Sequence, residues 1–213
     1  MSGKEISLST LRRLPVYLHY LNSVRGSREN ISASAIAAYF GLNDVQVRKD
    51  LGMVSGTGRP KTGYNVEALI AEIEECLDCR TETKAILVGA GNLGKALLSY
   101  GGFSDFGLSI VAAFDSDGER IGSRIAGKPV LPMAELETVC LQQGIRLGII
   151  TVPVECAQGV CDRLVSCGVR AIWNFAPTIL KTPADVLTEN ENLASSLAIL
   201  SKHLREHHAG RDA

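Results

Sequence analysis

Apolar residues follow two different periods along this chain. Over roughly the first eighty positions they recur at helical spacing. Leu11, Leu14, Leu18 and Leu21, with Val16, Tyr17 and Tyr20 between them, predict a first helix ending near Gly26. Ser32 or Ser34 caps a short helix from Ala35 to Phe40. Gly41 turns the chain, and Asn43 caps a further helix, Asp44-Val45-Gln46-Val47-Arg48-Lys49-Asp50-Leu51. Another helix runs from Val66 to Leu77, and the pattern breaks near residues 79–83. Beyond that break, short apolar runs alternate with helical stretches. Ala85–Val88, the run ending on Asp115, Lys128–Leu131, Arg146–Val152 and Ala171–Phe175 predict strands. The stretch after Gly94, Pro132–Gln143 and Val154–Ser166 predict helices, and Gly168 stands just beyond the last. Such alternation implies a doubly wound parallel sheet. A final stripe of Leu193, Leu197, Leu200 and Leu204 predicts a terminal amphipathic helix over Asn192–His207.

The two short helices joined at Gly41 form a helix-turn-helix, in which the second helix enters the major groove of DNA. Val47 and Leu51 lie four apart and face the core. Gln46, Arg48 and Lys49 then point outward, with side chains suited to base edges and phosphates. Gly56-Thr57-Gly58-Arg59-Pro60-Lys61-Thr62-Gly63-Tyr64 follows directly. Glycine and proline exclude a regular element, and Arg59 and Lys61 suit a wing that lies along DNA. The head is therefore a mainly α winged-helix domain. Charge agrees with this: residues 1–65 carry nine basic side chains against four acidic ones, on a chain of 213 residues with net charge −1. Residues 66–80 reverse the sign, with five acidic side chains against Arg80.

Composition narrows the remaining classes. Apolar residues make up 46% and charged residues 21%, as in ordinary globular proteins. No apolar run approaches the roughly 20 residues of a membrane span, and the start of the chain is polar, so a cytoplasmic location without membrane contact is expected. Disulfides are then not expected among the six cysteines. Cys76 and Cys79 form a C-x-x-C with no second pair at zinc-ribbon spacing, and read as two thiols on one helical turn. His203, His207 and His208 read as a fraying polar helix end, so no metal site is assigned.

The sharpest chemistry lies in Gly89-Ala90-Gly91-Asn92-Leu93-Gly94, between a strand and a helix. Gly89 permits the tight turn, Gly91 lets a pyrophosphate approach the backbone, and Gly94 allows close packing of helix on strand. The helix start near Asn92 offers unpaired N–H groups and a positive dipole end. Asp115, 21 residues past Gly94 at the end of the next strand, suits the hydroxyls of an adenosine ribose. Its charge repels a 2′-phosphate, so NAD(H) is expected over NADP(H). Arg120 reads as an exposed, solvated side chain. Thr151-Val152-Pro153 and Asn174-Phe175-Ala176-Pro177 stand at strand ends and are assigned to the nicotinamide side. The fold class is thus an α/β Rossmann domain preceded by a mainly α winged-helix domain.

These motifs, in order over nearly the whole chain, resemble the Rex family of redox-sensing transcriptional repressors. They are Gln46-Val47-Arg48-Lys49-Asp50-Leu51, Gly63-Tyr64-x-Val66, Val88 to Gly94, Phe114-Asp115-x-Asp117, Thr151-Val152-Pro153 and Asn174 to Pro177. The resemblance implies a homodimeric repressor of palindromic operator DNA, released by NADH, with a terminal helix swapped into the partner subunit. It implies that Tyr100 lies near the nicotinamide and that Arg13, in the first helix, takes part in the switch at the DNA-binding head. Two departures stand out. Where the family has an Asp before the terminal helix, this chain has Asn192, which cannot supply a charge to Tyr100 or Arg13. Gly52-Met53-Val54-Ser55 lacks the family's aromatic residue. The expected domains are residues 1–80 for DNA, 81–189 for NAD(H) and 190–213 for dimerisation. A dehydrogenase is the competing class. Against it, too little chain follows Asp115 for a substrate domain, and no histidine or lysine stands near the expected nicotinamide pocket as a proton donor.

Overall fold

A computed structural model describes residues 6–56 and 58–209. Lys4 and Glu5 of the basic head and Thr57 of the wing loop lie outside the described residues, as do the side chains of His207 and His208. The chain divides into two compact units, Met1–Thr81 with Asp105–Gly107, and Glu82–Ser104 with Leu108–Ala213.

In the first unit the single opening helix expected from the leucine spacing is two helices, α1 (Leu8–Leu11) and α2 (Leu14–Val24). Pro15 is the reason. It lacks an N–H and its ring conflicts with the carbonyl four residues back, so it is tolerated only in a first turn. Strand β1 (Asn30–Ile31) leads into α3 (Ala33–Phe40), where the Ser32 hydroxyl accepts the Ala35 N–H at 3.1 Å. Gly41, left-handed at φ +64°, ends α3. In α4 (Asp44–Val54) the Asn43 side chain accepts the Val45 N–H at 2.9 Å. Val47 and Leu51 are fully buried against Leu14, Tyr17, Leu21 and Ile36, as the spacing required. A hairpin is closed by paired hydrogen bonds between the backbones of Arg59 and Gly63 at 2.8 and 2.9 Å. Strand β2 (Tyr64–Asn65) then pairs antiparallel with β1, and α5 (Val66–Cys76) starts from the Asn65 cap.

The second unit runs β3 (Thr83–Val88), α6 (Asn92–Ser99), β4 (Leu108–Asp115), β5 (Arg124–Ile125), β6 (Lys128–Pro132), α7 (Leu136–Gln143), β7 (Leu147–Ile150), α8 (Val154–Ser166), β8 (Ala171–Asn174), β9 (Leu187–Asn190) and α9 (Leu193–Ala209). Sheet order is β5-β6-β4-β3-β7-β8-β9, parallel throughout except for β5 against β6. β3 is the first strand of this sheet in sequence and lies at its centre. Later strands add to one side through β4 and β6, and then to the other through β7, β8 and β9. The direction of winding reverses between β3 and β7, and a crevice opens at the carboxyl ends of such strands. Alternate residues of β3 feed two cores: Ile86 and Val88 pack with Phe114, Ile150 and Leu164 on one face, while Ala85 and Leu87 pack with Leu98 and Ile149 on the other.

Strands β5 and β9 were not expected. β9 reads Leu-Thr-Glu-Asn and is largely exposed at the sheet edge, so it has no apolar alternation to detect. Helix α9 is capped by Asn192, whose Oδ1 accepts the Ser195 N–H at 3.1 Å. Its Leu197, Ile199, Leu200 and Leu204 are exposed. Among the described residues, no helix is long and apolar enough to cross a membrane.

Candidate functional site

The carboxyl ends of β3, β4, β6 and β7 surround a cavity of about 690 Å³. Of the residues assigned from sequence, Gly89, Gly91, Asp115, Thr151, Val152 and Pro153 line it. The three glycines of the turn differ in what constrains them. Gly89 has φ +104°, and a Cβ there would sit 2.8 Å from the Thr151 carbonyl. A Cβ on Gly94 would sit 2.0 Å from the Gly89 oxygen, so only glycine lets α6 pack this closely on the turn. A Cβ on Gly91 would meet nothing within 4 Å, because this residue faces open space. Gly91 is also the N-cap of α6 and has no side chain to satisfy the first-turn N–H groups. Asn92 and Leu93 belong to that first turn. Open space beside unsatisfied N–H donors at a helix start suits a pyrophosphate.

Asp115 is 7% exposed and already engaged. Its Oδ2 accepts the Ala90 N–H at 2.7 Å and Arg120 Nη1 at 3.1 Å, and its Oδ1 accepts the Asp117 N–H at 3.0 Å. Burial alone would raise its pKa. The Asp117 N–H, the Arg120 guanidinium and the Ala90 N–H outweigh that and hold the carboxyl below its ordinary value. It is an anion at neutral pH. The expectation that Arg120 is merely solvated is corrected: it bridges Asp115 and, at 3.3 Å, Asp117. Two carboxylates against one guanidinium leave this wall net negative, which disfavours a 2′-phosphate. The Ala90 N–H, spent on Asp115, has a positioning role rather than a free one. Sequence reading missed Met133, Cys156 and Val160 in the cavity wall. Met133 and Cys156 follow the ends of β6 and β7, and that placement alone was the available signal.

Other assigned residues stand apart from this cavity. Tyr100, 61% exposed, lines a separate cavity of about 210 Å³ with Leu98, Phe103 and Lys128. Its ring meets Phe103 edge-on, and Phe103 continues through Trp173 to Phe175. Asn174 is fully buried. Its amide donates to the carbonyls of Ala176 and Thr178 and to Asn190 Oδ1, while its Oδ1 accepts the Ala176 N–H. This fastens the 174–178 turn and ties β8 to β9. Ala176 is buried within that turn, and Pro177 is exposed. Glu191 accepts the Trp173 indole N–H at 3.1 Å.

In the first unit Gln46, Arg48 and Lys49 are exposed on α4, and Arg59 and Lys61 on the hairpin. Arg48 is paired with Asp44 at 2.7 Å, one turn away. Arg13 clasps Asp50 through Nε and Nη2 at 2.7 and 2.8 Å. Burial pushes the Asp50 carboxyl up, but Arg13, Tyr17, Gln46 and Thr10 together hold it below the ordinary range. Burial, reinforced by Asp50, pushes the Tyr17 hydroxyl up to about 12. Cys76 and Cys79 are both free thiols, raised mainly by burial. Among the described residues no group of three or more His, Cys, Asp or Glu side chains stands together as a metal would require.

Residues 5–52 match the family described as "Putative DNA-binding protein N-terminus", and residues 80–178 match "CoA binding domain". A solved structure of RSP in complex with β-NAD⁺ and operator DNA is 34% identical, covers 98% of this chain and 97% of that one, and superposes with a TM-score of 0.89. RSP in complex with β-NADH is 33% identical, covers 98% and 99%, and gives 0.86. The redox-sensing transcriptional repressor Rex of Treponema denticola is 43% identical over 90% of this chain and 91% of its own length. That of Streptomyces coelicolor is 38% identical over 99% and 82%. Relatives of this kind are transcriptional repressors and not enzymes. With likeness of this degree along almost its whole length, the chain belongs to the Rex family of redox-sensing transcriptional repressors.

Proposed function

We propose that this protein binds palindromic operator DNA as a homodimer in the cytoplasm and is released from it by NADH. The observation that carries the reading is the cavity in which Gly91 faces open space beside the α6 N-terminus while a buried, ionised Asp115, held to the neighbouring Ala90 N–H, lines the same space. Gly89 to Gly94 would hold the pyrophosphate and Asp115 the adenosine ribose. Thr151, Val152 and Pro153 would lie toward the nicotinamide, with Tyr100 and Asn174 to Pro177 on the side of the aromatic run. NADH and NAD⁺ differ in the charge of that ring, and an apolar surface penalises the cation. Residues 1–80 act on DNA through Gln46, Arg48, Lys49, Arg59 and Lys61. Arg13 acts at one remove, through Asp50. Residues 81–189 take NAD(H), and residues 190–213 supply the dimer contact by exchange of α9.

Support for the ligands comes from RSP, solved with β-NAD⁺ and operator DNA and with β-NADH. A ligand moves an equilibrium only by its differential affinity for the two states. NADH must therefore favour the form that does not hold DNA, and operator DNA must weaken NADH binding by the same factor. The test is an anisotropy titration of labelled duplexes from the protein's own promoter regions, repeated in NADH and in NAD⁺. Release by NADH at concentrations where NAD⁺ leaves the complex intact is expected. Equal DNA affinity in both would refute the reading.

A further inference from the structure

Asp50 places an anion inside the fold, on the same helix that presents Gln46, Arg48 and Lys49. Its side chain is 1% exposed, and five hydrogen bonds meet it. Thr10 Oγ1 at 3.1 Å and Arg13 Nη2 at 2.8 Å reach Oδ1, and Arg13 Nε at 2.7 Å and Tyr17 Oη at 3.0 Å reach Oδ2. These partners come from α1, α2 and the turn between them, and they fix the carboxylate in place. The fifth bond has a different character. It comes from Gln46 Nε2 at 3.0 Å, one turn back on α4, from a side chain that is otherwise exposed.

A free glutamine amide turns over readily and offers either end. A carboxylate only accepts, so it can hold the NH₂ end alone. With one N–H spent on Asp50, the outward edge of Gln46 consists of Oε1 and the second N–H. That donor–acceptor pair complements N6 and N7 of adenine in the major groove. Guanine shows two acceptors there and finds no match. We propose that Asp50 is a positioning residue for base readout, holding the Gln46 amide in the one orientation that selects adenine at one operator position. The inference rests on the DNA-binding reading above. It adds that specificity at that position depends on a residue that cannot itself reach a base.

The test uses the full-length chain and a pool of duplexes randomised across the operator length, read out as base preference at each position. Wild type should prefer adenine over guanine by about tenfold or more at one position in each half-site. Gln46→Ala and Asp50→Ala should each remove the preference at that same position, and the double variant should remove no more than either alone. If Asp50→Ala lowers affinity equally for every sequence and keeps the preference, its role is structural and the proposal fails. It also fails if Gln46→Ala leaves the profile unchanged. If wild type enriches no sequence at all, the repressor reading falls first and takes this one with it. Because Asp50→Ala strands Arg13 and can prevent folding, a second measurement decides in that case: exchange of the two Gln46 amide protons by NMR in the wild-type protein. One Gln46 proton slowed well beyond the matching proton of the exposed Gln142 supports the pinned orientation, and rates equal to those of Gln142 overturn it.

Discussion

Gly91 and Gly94 lie one helical turn apart, yet the same substitution should act on different properties at the two sites. At Gly94 an added Cβ falls 2.0 Å from the Gly89 carbonyl oxygen and 3.1 Å from Leu87 Cδ2. The obstacle is backbone and cannot swing aside. Overpacking of this kind costs about 1–3 kcal/mol. In a chain of this size each kcal/mol lowers Tm by about 2–4 °C. At Gly91 the added Cβ meets nothing, and φ −69° suits alanine. Gly91→Ala should therefore melt within a few degrees of wild type, or slightly higher through loss of freedom in the unfolded chain. Its cost appears only with ligand, where the methyl keeps the pyrophosphate off the α6 N–H groups. Hydrogen bonds to a charged group are worth about 1.5–3 kcal/mol, so NADH should bind about 10- to 150-fold more weakly. Trp173 in β8 is the chain's one tryptophan, so its fluorescence follows the melting of this unit. NADH titration at 25 °C gives the affinity. Unchanged NADH affinity in Gly91→Ala would remove the pyrophosphate from this turn. An unperturbed Tm in Gly94→Ala would contradict the packing.

Three further outcomes follow from the geometry. Asp50 and Asp115 both have folded pKa values below the ordinary 3.8, so the stability they confer is present above that value and is lost as pH falls through their lower folded values; acid unfolding below about pH 4 should be less steep in Asp115→Asn, and an unchanged acid limb would show that Asp115 is not held as an anion. Lys49→Ala, on the exposed face of α4, should weaken DNA binding and reduce the salt slope by about 1 per half-site, about 2 for the dimer; equal slopes would move the phosphate contact elsewhere. Leu200→Asp, on the exposed apolar stripe of α9, should shift sedimentation from dimer to monomer while Trp173 fluorescence stays folded; a dimer that persists would free α9 of that role.

What could be read from the chain depended on how local each cause was. Gly89, Gly91 and Gly94 announce themselves because strand end, turn and helix start are contiguous in sequence, and Asp115 because it ends the next strand 21 residues on. Pro15 was equally visible, but the leucine period running through it outweighed the break. Strand β9 escaped because an exposed edge strand needs no apolar face, and the role of Asn174 went with it: its amide reaches Asn190, on the strand that was not foreseen. Asp50 and Arg120 show a further limit. A carboxylate in an amphipathic helix looks like surface until Thr10, Arg13 and Tyr17 converge on it from 33 to 40 residues away. An arginine five residues past Asp115 looks solvated until the turn folds it back.

Asn192 is the departure from the family pattern whose meaning changes most once the structure is known. Its Oδ1 caps α9 by accepting the Ser195 N–H, and asparagine and aspartate serve about equally well as N-caps. Local structure therefore does not decide between them, and charge is what this chain forgoes. Glu191 stands next to Asn192, with its Oε1 accepting the Trp173 indole N–H. Arg13 places two of its three guanidinium nitrogens, Nε and Nη2, on Asp50. Asn192→Asp isolates that charge, since the cap survives the change. If the family's switch runs through this charge, the variant should release DNA at lower NADH than wild type, with α9 and the dimer unaltered. If both release at the same NADH concentration, the differential contacts that couple coenzyme to DNA lie in other residues, and the aromatic run from Tyr100 to Phe175 becomes the element to dissect.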